Sequence, residues 1–402
     1  MNIPSPSTHH EIVIIGGGSA GISVAARLGR KHKKVAVIDP AVTHYYQPLW
    51  TLVGGGQADM GDTGRPEADV MPKNAEWIRH AAEEIDPVAK EVRLDDGSSV
   101  TYDRLVVAAG IQIDWDAIPG TREALASSHA SSNYAPEMAP KTWELIRNMR
   151  AGTAVFTMPA GPIKCAGAPQ KIAYLACDYW RKQGVLDDIR VILVLPTPRT
   201  FGIPAFADAL DEVVKDYGIE VRTNSELTDV DPDHRLLTIT DNEAKTRDTV
   251  SYDMLHVVPP QSAPDWIKKS QISDPDNPAG WVDVDKYTLQ HNRFEDIFAL
   301  GDVGSTPNSK TGAAVRKQAP VLVENLMASL EGRPLTARYD GYGSCPLTTS
   351  AKAMLLAEFD YDLNHTPSFP LIDVTKPRRD MWYVKRYGLP FLYWNFMLKG
   401  RA

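Results

Sequence analysis

Two of the three cysteines in this chain stand where a thiol would react. Cys165 is preceded by Lys164 and followed by Lys171, just ahead of a helix that Pro169 opens. A helix N-terminus and nearby cations both favour a thiolate, so Cys165 is expected to be a nucleophile. Cys345 lies in Tyr342-Gly343-Ser344-Cys345-Pro346, which reads as a turn. Cys177, inside the apolar helical run 171–180, reads as a small buried hydrophobe. No C-x-x-C occurs, which argues against a structural zinc site, and no metal is expected. Three cysteines in 402 residues do not make a disulfide scaffold either.

A second chemistry is written in glycines. Gly16, Gly18 and Gly21 fit G-x-G-x-x-G, with Ser19 and Ala20 between the last two. The turn follows an apolar strand at 11–15 and opens a helix running to Arg30; a second strand at 35–38 ends in Asp39. In such a unit the first glycine permits the tight turn, the second admits a pyrophosphate, and the third lets helix and strand pack closely. The helix N-terminus faces the phosphates, and Asp39 is placed to accept a bond from a ribose hydroxyl. Residues 17–21 also fit G-x-S-x-G, a hydrolase nucleophile elbow, but that reading leaves Gly16 and Asp39 without a role. Two later segments sharpen the cofactor: a strand over 102–110 ending in Ala109-Gly110, and another over 298–303 carrying Gly301-Asp302. Lys310 and Thr311 then open a helix that runs to Leu330. These resemble the later fingerprints of flavoproteins with two dinucleotide domains. The resemblance implies FAD, with Asp302 on the ribityl chain and the helix N-terminus at the flavin pyrimidine.

The elements that must position these residues form an α/β chain with two Rossmann-like dinucleotide-binding domains. The FAD domain is expected to be discontinuous, 1–115 with 285–335. A second Rossmann-like domain spans 116–284, and a C-terminal region with a redox cysteine and an amphipathic membrane-binding tail spans 336–402. In the second domain the turn before Cys165 reads Pro159-Ala160-Gly161-Pro162, where a nicotinamide-binding protein would carry glycines, and the next strand ends in Pro196 rather than an acid. Prolines remove N–H donors, so electrons are not expected from NADH.

Charge is unevenly spread. The net charge is −8, yet residues 376–402 hold seven basic residues against Asp380 alone, a net of +6, which leaves −14 on the other 375. An acidic body argues against nucleic-acid binding. The tail also holds seven of the 33 aromatics. Residues 1–10 lack the charge and apolar run of a secretory signal. The longest apolar stretch, 389–398, is about half a membrane span. The tail is therefore expected to lie in the interface as two short amphipathic helices, 378–388 and 391–399, broken at Pro390.

Together these residues resemble the sulfide:quinone oxidoreductases, in the subgroup related to the animal mitochondrial enzyme. The carrying segments are YYQPLWTLVG at 45–54, KCAGAPQK at 164–171, GWVDVD at 280–285, SKTGAA at 309–314, YDGYGSCPL at 339–347, AEFDY at 357–361 and PFLYWNFML at 390–398. Family members outside this subgroup have a further active-site cysteine in their N-terminal part, which is absent here. The resemblance implies that Cys165 and Cys345 are joined by a disulfide or a sulfur-bridged trisulfide beside FAD. Hydrosulfide would attack Cys345, and the electrons would pass through FAD to ubiquinone or menaquinone. A small acceptor (sulfite, glutathione or sulfide) would take the sulfane sulfur. It also implies Glu123 as a proton carrier, Lys171 at the active site, Gln47 among the FAD residues, and Phe359, Lys385 and Phe391 on the quinone side. The implied location is a membrane lipid surface; the missing signal favours the cytoplasmic face of an inner membrane in a bacterium, or a matrix-like face, and a homodimer stays open.

Overall fold

The structure is a computed structural model that describes residues 7–402, so the start of the segment read for a signal lies outside the described residues. The strand at Thr8–Ile15 is apolar along its second half and buried on both faces, as a strand of a parallel sheet must be. It pairs in parallel with Val35–Ile38 on one side and with Ser99–Val107 on the other. Ala75–Ile78 extends the sheet at one edge, and the antiparallel strands Glu91–Leu94 and Ala82–Asp86 extend it at the other. The late strand Ile297–Ala299 pairs in parallel with the end of Ser99–Val107. That pairing brings the Gly301-Asp302 turn to the same sheet edge as the turn after Ile15. The helices Ser19–Arg30 and Gly312–Leu330 bury their apolar faces in one cluster against this sheet.

A second, fully parallel sheet runs in the order Ala130–Ser131, Met254–His256, Gly152–Thr157, Ile189–Val194, Glu220–Arg222. The 16-residue helix Ala168–Gln183 covers it and ends at Gly184, whose φ of 71° supplies the left-handed cap. Across this helix lies the hairpin Gly343–Ser350 and Ala353–Phe359, whose Cys345, Leu347, Leu355 and Ala357 join its core. Cys345 is thus a strand residue opposite Ala357, not a turn residue as its sequence suggests. Pro346 is tolerated because a two-stranded hairpin leaves an edge where a missing N–H breaks no ladder.

The tail departs from its sequence expectation. Arg379–Tyr383, a wide π turn at Val384–Gly388, and Leu389–Asn395 run on as one helix, with Pro390 at the start of the last segment. Pro390 has no N–H to give to the preceding turn, and its ring would crowd a carbonyl there; the widened turn removes both conflicts, so the chain continues instead of breaking.

Candidate active site

The sequence around Cys165 folds into a tight loop because small residues, Ala166, Gly167 and Ala168, follow it. Cys165 takes a left-handed φ of 54°. Its N–H donates to the Lys310 carbonyl at 3.0 Å, and its own carbonyl accepts from Ala168 N at 2.8 Å and from the Tyr134 hydroxyl at 3.3 Å. A non-glycine residue held there costs about 1 kcal/mol or more, and the surrounding bonds enforce it. Gly167 makes room for the second thiol: a Cβ there would stand 2.6 Å from Cys345 Sγ and 2.7 Å from Leu347 Cδ2. The fold therefore brings the two cysteines together.

The pair carries one easily lost proton, and the cations decide which sulfur loses it. Hydrogen bonding from the Cys345 thiol holds the Cys165 thiol well below its ordinary value, with Lys171 and Lys385 assisting against burial. Cys345 is pushed well above its ordinary value by that same bond and by burial. The asymmetry has a geometric cause: Lys171 Nζ donates to Cys165 Sγ at 2.9 Å. Lys171 is only 2% exposed. Burial alone would discharge it, but the two sulfurs outweigh that and keep it protonated. Lys385 is also buried, and burial with the neighbouring Lys171 brings it down to about 7.

The FAD residues form the adjoining wall. Gly16 has a φ of 102°, and a Cβ there would stand 2.3 Å from the Ala108 carbonyl; one at Gly21 would stand 1.8 Å from the Gly16 carbonyl. Gly18 and Gly110 face open space instead, which leaves their backbone free for a ligand. Asp39 does more than expected: it also accepts the Gly17 N–H and the Ala41 N–H at 2.7 Å, closing the turn from behind. Gly301 N donates to Gln318, and Lys310 Nζ donates to the Asp302 carbonyl at 2.5 Å and the Gly304 carbonyl at 3.0 Å. Thr311 caps the Gly312–Leu330 helix. Burial raises the Asp302 carboxyl, opposed by Lys310 and Lys164. Gln47 accepts from Lys164 Nζ at 2.9 Å. A cradle of two glycines that admit no side chain and two that admit a ligand, ringed by these donors, fits FAD.

Other expected residues lie elsewhere. Glu123 is exposed in the first turn of Thr121–Ala126 beside Arg122 and is not among the groups acting on either thiol. Phe359 is buried with Cys345 in the hairpin core, against Phe201. Phe391 is 61% exposed, in line with Tyr383 and Tyr387 at 55% and 57%. Much of the tail's positive charge is already matched: Lys376 pairs with Asp373, Arg378 with Asp380, and Arg386 with Asp62. Sequence reasoning missed Gly167, Tyr134 and Tyr46, since nothing local marks them. Burial raises the phenols of Tyr46 and Tyr134, and the charge on Cys165 adds to it.

In the second domain, the loop that would face a nicotinamide dinucleotide is tied down differently. Ala160 N donates to the Glu226 carboxylate at 2.9 Å, which sets a negative charge where a phosphate would need N–H donors.

The family of pyridine nucleotide-disulphide oxidoreductases matches residues 10–319. The chain is 39% identical over 396 residues to the mitochondrial sulfide:quinone oxidoreductase of Mus musculus, spanning 98% of this chain and 87% of that one. It is 40% identical over 395 residues to the Dictyostelium discoideum enzyme of the same name, spanning 97% and 86%. The solved sulfide:quinone oxidoreductase of Aquifex aeolicus shares the fold, with a TM-score of 0.81 at 21% identity over 98% of this chain and 92% of that one.

Proposed function

The chain belongs to the sulfide:quinone oxidoreductases within the pyridine nucleotide-disulphide oxidoreductase family, and from that premise we propose that it oxidises hydrosulfide at Cys165 and Cys345 and passes the electrons through FAD to a quinone. The observation that carries the residue assignment is the Lys171–Cys165–Cys345 group beside the FAD residues. In the reaction, the hydrosulfide sulfur bonds to Cys345 while the sulfur bridge between Cys345 and Cys165 breaks. The electron pair of that bridge leaves on Cys165 as a thiolate, and Cys345 carries the new persulfide. Lys171 stabilises the leaving thiolate through its bond to Sγ, and Lys385 adds a second positive charge whenever it is protonated. Bound FAD, held by the Gly16–Gly21 turn, Asp39, Asp302 and Lys310, supplies a two-electron acceptor that a quinone can reoxidise. A small nucleophile (sulfite, glutathione or a second sulfide) then bonds to the outer sulfur, and Cys345 leaves as a thiolate; the bridge between Cys345 and Cys165 would close again as their electron pair passes to bound FAD.

Quinones dissolve in lipid, so the same proposal rests the tail on a membrane surface, at the cytoplasmic face in a bacterial cell. No helix among the described residues is long and apolar enough to cross a membrane. Exposed Tyr383, Tyr387 and Phe391, four residues apart on one helical line, support contact at headgroup level. The test is spectroscopic. Sulfide added anaerobically should bleach the flavin absorbance, NADH should not, and a soluble quinone should restore it. Cys165→Ser and Cys345→Ser should each abolish the bleaching; full bleaching in either variant would defeat the cysteine assignment.

A further inference from the structure

Two groups of cations stand apart from the flavin and thiol chemistry. One is the basic run Arg30-Lys31-His32-Lys33-Lys34, which begins at the last residue of the first dinucleotide helix; the other is Lys399 and Arg401 at the end of the tail. Part of the run is ordinary surface, since Lys31 pairs with Glu324 and Lys33 with Glu11. Arg30, Lys399 and Arg401 are exposed and are not ion-paired among the described residues, and packing carries all three to one place.

That place is an open cleft of about 780 Å³ between the end of the helix Ser19–Arg30, the segment 68–74 and the last turn of the tail, Met397–Lys399. Lys73 joins from the middle segment, so four cations line the cleft against Asp69 alone, and 4 − 1 leaves a net of +3. Arg27 lies at the same helix end but is already matched by the Ala402 backbone oxygen. Between the cations the lining is apolar, from Val70, Met71, Pro72 and Leu398.

The walls are built by specific bonds and close approaches. The Asn74 amide donates to the Ala25 carbonyl at 3.0 Å and the Lys33 carbonyl at 3.1 Å, tying the middle segment to the helix end. A Cβ at Gly29 would stand 2.3 Å from Asn74 Oδ1, so a glycine is what admits that tie. On the other wall Gly400 has a φ of 66°, and a Cβ there would stand 2.8 Å from Arg27 N; the tail's last turn thus lies directly on the helix. The turn is closed by Gly400 N on the Met397 carbonyl at 3.0 Å and by Arg401 N on the Phe396 carbonyl at 2.8 Å, which brings Lys399 and Arg401 to the cleft.

Like charges gathered from three distant segments repel one another, and a bound anion relieves that repulsion. Guanidinium and ammonium groups together suit a phosphate. A free phosphate gains nothing from an apolar lining, whereas the glycerol and first methylenes of a lipid do. The cleft also adjoins the exposed aromatics of the tail: Phe396, 39% exposed, stands three residues before Lys399 and packs on Phe391 at 5.8 Å. Aromatic rings at headgroup level beside unpaired cations are the pattern of a site for anionic lipid.

We propose that this cleft binds the phosphate headgroup of an anionic phospholipid, held by Arg30, Lys73, Lys399 and Arg401, and so fixes how the protein is seated on the membrane. The proposal rests on the reading that the tail lies on a membrane surface, and adds to it a defined headgroup site with residues far from the tail in sequence.

Two measurements on the full-length, FAD-loaded protein test it. The first is cosedimentation with vesicles of equal parts phosphatidylcholine and phosphatidylglycerol, against vesicles of phosphatidylcholine alone. Each cation at an anionic surface contributes about fivefold in affinity, so Arg30→Gln with Lys73→Gln should weaken binding to the mixed vesicles more than about tenfold and leave binding to phosphatidylcholine unchanged. Lys31→Gln with Lys33→Gln removes the same charge outside the cleft and should weaken it far less. Equal weakening by the two pairs would overturn the site in favour of diffuse charge attraction. The second measurement is acetylation of Lys73 and Lys399, followed by peptide mass spectrometry with exposed Lys352 as reference. Soluble short-chain phosphatidylglycerol should slow both lysines several-fold, and inorganic phosphate at the same concentration should not. Equal protection by inorganic phosphate would overturn the lipid assignment, and so would no protection by phosphatidylglycerol. Failure of wild-type protein to bind either vesicle would instead strike the membrane reading of the tail and leave the acetylation result readable.

Discussion

At the scale of single residues, the surroundings of the reduced pair divide its proton unequally, holding Cys165 low and Cys345 high. Lys171 does this by touching Cys165 and not Cys345. Replacing it with Met should raise the Cys165 thiol by about one to three pH units. Sulfide bleaching at neutral pH should then slow at least about tenfold, and recover in part as pH rises and the thiolate returns; stopped-flow traces across pH check both. Gly167→Ala makes a steric prediction. Its methyl would stand inside the Cys345 sulfur and the Leu347 side chain, so a core strand must shift at a cost of about 1–3 kcal/mol. The flavin should remain bound while bleaching falls more than tenfold, as measured by absorbance at saturating sulfide.

At the scale of elements, each turn of chain is tuned for what passes beside it. The strand Met254–His256 buries His256 completely, stacked on Phe156, with Nε2 accepting the Asn133 N–H at 3.0 Å. The ring is therefore neutral with its hydrogen on Nδ1, and burial lowers it from 6.5 to about 3. The sign follows: between those values the unfolded chain binds a proton that the folded chain refuses. Stability present above 6.5 is lost as pH falls toward 3, by up to about 1.4 kcal/mol per pH unit for this one group. Urea unfolding of His256→Gln should lose stability less steeply than wild type across that window. The tail helix shows the same tuning: Pro390 reads as a break, yet a wide turn absorbs it, and one continuous helix can then present exposed aromatics outward and Lys385 inward.

At the scale of the whole molecule, the tail belongs to both the surface and the site. Removing residues 378–402 should abolish cosedimentation with anionic vesicles. It should also raise the Cys165 alkylation midpoint, because Lys385 leaves with the tail. Replacing only exposed Tyr383 and Tyr387 with Gln should weaken vesicle binding while sulfide bleaches the flavin at the wild-type rate. A truncated protein with a wild-type alkylation profile would show that the tail serves the surface alone.

Much of this was legible in residue order, and the division has a physical basis. The glycine turn, its flanking strand and helix, Asp39, the later Gly301-Asp302 turn and the reactive setting of Cys165 are local patterns, because dihedral freedom, periodicity and helix-end charge act over a few residues. Sequence alone therefore determined a two-dinucleotide flavoprotein and pointed to Cys165 as its nucleophile. It misread Cys345 as a turn residue, since Gly and Pro mark turns unless an edge hairpin accommodates them. It also took the +6 tail for a free cationic surface, when Asp62 and Asp373 neutralise two charges beyond the one Asp380 already cancels, and Lys385 is buried. Partner choice depends on which distant segments packing brings together, and residue order does not encode that locally. Only the tertiary structure decided that Lys171 serves one sulfur, that Gly167 admits the other, and that a tyrosine near the C-terminus is held at the first glycine turn.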